Sequence, residues 1–190
     1  MRARDNPFAT DRIEALTYQC QPLLFEDLLQ RLELLNWRAA IVGPQGSGKT
    51  TLLEALQPRL QKLGFKTRLM RANAEIAAGR GRLTLRDLSS ATIVLLDGAD
   101  LLSAWSWYLW YRKARTVAAG MVITTHQPGR LPTLVTCHPD LNMLDSIISE
   151  LTGRDVDSQM RSLTGELYRK HRGNMREVLR EWYDIYAQRP

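Results

Sequence analysis

The chain has 190 residues, enough for one compact domain with a small appendage and too few for a multidomain machine at about 100 to 200 residues per domain. Hydrophobic residues make up 44% and charged residues 24%, close to the averages of folded globular chains, which excludes wholesale disorder. Lys and Arg number 26 against 20 Asp and Glu, a net charge of +6, and the surplus is local: residues 66–86 carry Lys66, Arg68, Arg71, Arg80, Arg82 and Arg86 against Glu75 alone.

Two cysteines, Cys20 and Cys137, cannot by themselves build a disulfide framework or a four-ligand zinc site. The opening Met1-Arg2-Ala3-Arg4-Asp5-Asn6-Pro7 lacks a signal-like apolar core, and no run of about 18 apolar residues follows. The expectation is a soluble cytoplasmic protein with no membrane association.

In chain order, residues 5–10 read as irregular. Leu24, Leu28, Leu32 and Leu35 then form one stripe of an amphipathic helix over 23–35. The apolar stretch 38–42 predicts a strand that runs into a glycine-rich turn and a helix over 50–63. Gly64 supplies the turn to a weaker strand over 65–70. The basic Gly79-Arg80-Gly81-Arg82 predicts a loop, and 83–88 a short helix. Residues 92–96 are continuously apolar and suit a strand buried on both faces of a parallel sheet. A helix over 101–119, a strand over 121–125 and a short strand over 134–136 follow, and then helices over 141–151, 158–171 and 174–187. Strands alternating with helices and then giving way to helices alone predict an α/β fold: a parallel sheet flanked by helices, with a small C-terminal helical lid. The implied division is a core over 1–139, including the N-terminal helix, and a lid over 140–190.

Gly43-Pro44-Gln45-Gly46-Ser47-Gly48-Lys49-Thr50 fits the P-loop pattern of a glycine, four residues and Gly-Lys-Thr, in the required strand-to-helix setting. Glycines let backbone N–H groups turn inward around a phosphate, and the helix adds its positive N-terminal end. These eight residues and Thr51 are therefore candidate nucleotide contacts, Lys49 reaching the β- and γ-phosphates and the Thr50 hydroxyl ligating Mg²⁺. Asp97 closes the buried strand and is the candidate second Mg²⁺ ligand, since ligands in open α/β sheets collect at the carboxyl ends of strands. Gly98 stands where related NTPases often carry a glutamate, which leaves Asp100 either to polarise the attacking water or to cap the next helix. Thr125 and His126 end the next strand, and either can sense the γ-phosphate. With no Asn-Lys-x-Asp run to read guanine, ATP is the expected nucleotide.

On Lys49, Asp97 and the strand ending at Thr125, the chain resembles P-loop ATPases of the additional-strand class, in which another strand separates the P-loop strand from the one ending in the acid. His171-Arg172-Gly173-Asn174-Met175-Arg176 looks like the Gly-Asn-x-Arg sensor-2 motif of AAA+ ATPases. That resemblance implies Arg176 contacting the γ-phosphate from the lid, in keeping with the multidentate phosphate chemistry of guanidinium groups. Two departures stand out: Asp97-Gly98-Ala99-Asp100 in place of Asp-Glu, a form also similar to STAND ATPases that act as slow nucleotide switches, and Thr124-Thr125-His126 at the sensor-1 position. The family also implies oligomers completed by an arginine finger, for which Arg130, Arg112 and Arg115 are equal candidates. Arg80 and Arg82 occupy a region that meets polymers in related ATPases and are the candidate nucleic-acid contacts. The crowd of Trp105, Trp107, Tyr108, Trp110 and Tyr111 cannot be buried by one helix face, so it serves the core, a partner surface, or both.

Overall fold

The computed structural model describes residues 6–15, 22–78, 80–81, 83–138 and 140–188. Cys20, Gly79 and Arg82 therefore lie outside the described residues, as does the side chain of Leu24. By contact the chain divides into two compact units, one comprising residues 20–43 and 49–137, the other the N-terminal segment, residues 44–48 and residues 138–190.

The larger unit is built on five parallel strands, β1 (Arg38–Val42), β2 (Lys66–Arg71), β3 (Thr92–Asp97), β4 (Gly120–Thr125) and β5 (Thr133–Thr136), in the order β2-β3-β4-β1-β5. β4 thus separates β1 from β3. The register sets Val42 opposite Thr125 and Leu96 opposite Ile123, so the last residues of three adjacent strands lie along one edge. β4 is buried along its whole length and β3 up to Asp97, as their apolar centres, Met121–Ile123 and Ile93–Leu96, require of a sheet covered on both faces.

Helix α2 (Pro22–Leu34) buries Phe25, Leu28 and Leu32, and α3 (Lys49–Lys62) buries Leu52, Leu53, Leu56 and Leu60 at helical spacing. Asn36 and Trp37, both left-handed at φ 52° and 59°, turn the chain from α2 into β1. The Trp37 carbonyl accepts from the Met121 N–H at 2.6 Å, and a Cβ on Gly120 would lie 2.5 Å from that same carbonyl oxygen. Glycine is what the close approach admits.

The segment between β2 and β3 departs from expectation. A short helix α4 (Ala74–Ala77), capped by Asn73, lies before the basic loop, and residues 83–88 are not helical. Leu83, Leu85 and Leu88 pack individually on the core, and Asp87 is left-handed at φ 65°, which no helix accommodates. The helix expected over 101–119 is likewise shorter. A 3-10 turn over Ala99–Leu101 comes first, Ser103 accepts from the Ser106 N–H as an N-cap, and α5 spans Ala104–Val117. The aromatic crowd on α5 divides: Trp107 and Trp110 are buried, while Trp105 and Tyr108 are exposed.

In the other unit, α1 (Thr10–Ala15) occupies a stretch begun by residues expected to be irregular. It accompanies α6 (Leu141–Thr152), α7 (Ser158–Lys170) and α8 (Met175–Ala187), which are capped by Asp140, Asp157 and Asn174. Their core joins Leu144, Ile148, Leu167, Val178, Leu179 and Trp182. Phe8 belongs to it, stacked on Trp182 at 5.7 Å and edge-on to Tyr186 at 5.1 Å. Asn6 fixes this entry by donating to the Tyr183 carbonyl at 2.8 Å and accepting from the Phe8 N–H. Thr164, fully buried, accepts from the Trp182 indole at 3.3 Å.

Candidate functional site

β1 delivers Gly43 to the sheet edge, where its N–H donates to the Thr125 carbonyl at 3.2 Å. The turn that follows uses left-handed glycines at Gly46 (φ 75°) and Gly48 (φ 82°), and α3 opens at Lys49. Lys49 Nζ donates to the Gly43 carbonyl at 2.8 Å, Thr50 sits in the first helical turn, and Thr51 beside it is exposed. Pro44 and Gln45 are exposed on the turn. Ser47 is buried, and its hydroxyl finds no protein partner among the described residues. An orphan buried hydroxyl inside a glycine turn is the condition that an arriving phosphate oxygen relieves.

Thr50 Oγ1 lies 3.0 and 3.2 Å from the two Asp97 carboxylate oxygens. Thr124 Oγ1 donates to Asp97 Oδ1 at 2.6 Å and accepts from the Gly98 N–H at 2.8 Å. A hydroxyl from the end of the glycine turn and a carboxylate from β3 are therefore paired, with the carboxylate aimed by a second hydroxyl from β4. Two hard oxygens so placed suit Mg²⁺, which takes one or two protein oxygens and completes its octahedron with water and phosphate.

No family model and no curated protein matches the sequence. Solved structures do match. Thermotoga maritima RuvB, titled a Holliday junction branch migration motor, aligns with a TM-score of 0.57 over 90% of this chain and 64% of its own, at 15% identity. A point variant of the same protein gives 0.56 over 86% and 60%, at 16% identity. The fold is that of a P-loop NTPase. The chain spans less than two thirds of the length of these structures, and at such identity the likeness concerns the fold alone.

The other expected residues lie as follows along the sheet edge and beyond it. Asp100, in the 3-10 turn after β3, meets His126, just past β4, with Oδ2 2.5 Å from Nδ1. The two candidates thus engage each other. Thr125 turns inward and donates to the Gln127 carbonyl, so Thr124 rather than Thr125 is the threonine that serves Asp97. Arg130 donates to the Leu102 carbonyl at 2.5 Å and holds its guanidinium 5.3 Å from the Trp107 ring centre. Burial pushes the Arg130 guanidinium below its ordinary pKa, and the Asp100 carboxylate partly opposes that shift. Of the three arginine-finger candidates, Arg130 is therefore committed to its own chain, while Arg112 and Arg115 are exposed on α5.

In the helical unit, a Cβ on Gly46 would lie 2.0 Å from Asn174 Oδ1 and 3.3 Å from the Met175 nitrogen. The glycine turn therefore abuts the N-cap of α8. Arg176, next in sequence, is exposed in the first turn of that helix. Arg80 is exposed in the loop after α4.

Proposed function

We propose that the chain binds ATP with Mg²⁺ and hydrolyses it in the manner of an AAA+ ATPase, using nucleotide state to govern assembly or the engagement of a partner such as DNA. The observation that carries this reading is the Thr50–Asp97–Thr124 constellation at the end of a complete glycine turn. In this reading Gly43, Pro44, Gln45, Gly46, Ser47, Gly48 and Thr51 surround the phosphates, Lys49 leaves the Gly43 carbonyl for the β- and γ-phosphate oxygens, and Thr50 and Asp97 hold the cation. A Mg²⁺ ion held by Thr50 and Asp97 would supply charge neutralisation for the transferred phosphoryl group. Arg176 contacts the γ-phosphate, supported by the placement of Asn174 and Met175 against Gly46. In this reading the larger, sheet-bearing unit acts as the ATPase core and the helical unit built on residues 140–190 as the lid, Arg80 and Arg82 meet the nucleic acid, and the setting is cytoplasmic; no helix among the described residues is long and apolar enough to cross a membrane.

One observation favours a slower device. The carboxylate available to activate water, Asp100, is engaged by His126, whose Nδ1 lies 2.5 Å from Oδ2, and glycine follows Asp97. The second reading is accordingly a STAND-like switch that holds ATP or ADP with negligible turnover.

Calorimetric titration with ATP and Mg²⁺, together with steady-state phosphate release with and without DNA, tests both. Binding lost in Lys49→Ala and turnover slowed more than binding in Arg176→Ala support the ATPase. Tight binding with turnover near zero, insensitive to DNA, supports the switch. Retained ATP binding in Lys49→Ala overturns both.

A further inference from the structure

Helix α5 does two jobs with one aromatic-rich sequence. Trp107 and Trp110 face the core, while Trp105 is 68% exposed, Tyr108 47% and Leu109 42%. Trp105 and Tyr108 are stacked with ring centres 5.9 Å apart and planes 28° from parallel, and the Arg112 guanidinium lies 5.7 Å from the Tyr108 centre. Trp105, Tyr108, Leu109, Arg112 and Lys113 recur at helical spacing on this outer side, and the helix carries Arg112, Lys113 and Arg115 with no acidic residue. In the basic segment after β2, Ile76, Leu83, Leu85 and Leu88 pack on the same buried cluster as Trp107 and Trp110, and Arg80 and Arg86 are exposed.

We infer that the outer face of α5 is a docking site for a single-stranded polynucleotide, whose bases stack on Trp105 and Tyr108 and whose phosphates run over Arg112 and Lys113. An exposed π-face with cations in line is the combination that single strands use, since every base offers a ring and every link a negative charge. A second copy of this chain fits less well, because a two-fold contact through α5 would bring together two sets of three cations on a molecule already at +6. The proposal concerns a surface outside the phosphate turn and does not depend on ATP binding.

The test is fluorescence anisotropy of labelled dT20 without nucleotide, over a salt series. Wild type binds dT20 more tightly than a duplex of equal length, whose bases are covered. Trp105→Ala weakens binding about five- to a hundredfold with the salt slope unchanged, and Trp105→Phe recovers most of it. Arg112→Ala with Lys113→Ala lowers the slope of log K against log salt by about 1.4, at roughly 0.7 for each phosphate contact. Because these side chains are exposed, the variants should fold, which circular dichroism checks. The proposal is overturned if dT20 does not bind, if Trp105→Ala binds it like wild type, if duplex is preferred, or if Trp105→Ala instead abolishes a wild-type dimer or capture by anionic vesicles.

Discussion

Thr124→Val isolates the hydrogen bonds that aim Asp97. Valine keeps the shape of threonine at a site that is 1% exposed, so packing is preserved and two interactions are removed: the bond to Asp97 Oδ1 at 2.6 Å and the one from the Gly98 N–H at 2.8 Å. A hydrogen bond to a charged group contributes about 1.5 to 3 kcal/mol, and a buried N–H left alone costs about 1 to 3 kcal/mol. Asp97 keeps Thr50 as a partner, so the lower half of the combined range applies, about 2.5 to 4 kcal/mol. At about 2 to 4 °C per kcal/mol for a chain of this size, Tm falls by roughly 5 to 16 °C without nucleotide. Urea unfolding followed by circular dichroism measures the loss, and Thr124→Ser should restore most of it. The same residue orients a proposed metal ligand, so calorimetric titration should show Mg²⁺-dependent ATP affinity falling about tenfold or more. A Thr124→Val protein within 0.5 kcal/mol of wild type, binding ATP and Mg²⁺ normally, would refute the argument that Thr124 positions Asp97; that threshold is about the usual effect of a neutral surface change.

Phe8→Ala removes a ring that is 2% exposed between Trp182 and Tyr186, and should cost about 3 to 5 kcal/mol in urea unfolding of the chain. Gly120→Ala places a methyl group 2.5 Å from the Trp37 carbonyl oxygen and should cost about 1 to 3 kcal/mol, read as a lower midpoint in the same experiment. Glu181 accepts from Lys170 at 2.5 Å and from His171 at 2.7 Å, and these bonds hold its carboxyl below the ordinary range. Its stabilisation is complete above the unfolded carboxylate pKa, near 4.3, and is lost as pH falls through the lowered folded value. Glu181→Gln should therefore be less stable than wild type at neutral pH, and melting curves of the two should converge in strong acid.

Where burial and turn chemistry agree, the sequence and the structure coincide: β1, the glycine turn and β3 are legible from their own residues, because 39–42 and 93–96 are apolar throughout and the glycines admit the left-handed turn between β1 and α3. The departures occur where distant contacts decide. Leu83, Leu85 and Leu88 look like a short helix, yet each is taken up separately by the cluster around Trp107 and Trp110, an outcome no local periodicity contains. Asn6 and Phe8 lie in a stretch that reads as irregular. Their places are set by Tyr183 and the α8 aromatics, more than 170 residues away in sequence.

The place of Thr124 follows from strand pairing. Side chains alternate along a strand, and residues level with each other on adjacent strands point to the same side of the sheet. Because β4 neighbours β3 with Leu96 opposite Ile123, the residue level with Asp97 is Thr124, while Thr125 points to the other side and satisfies the Gln127 carbonyl. The identity of the residues at the strand end is local information, whereas their pairing is set by strand order. The same dependence governs α5, whose three tryptophans and two tyrosines meet different fates. The packing of the sheet and of residues 83–88 alone determines that Trp107 and Trp110 become core and that Trp105 and Tyr108 are left as a stacked surface.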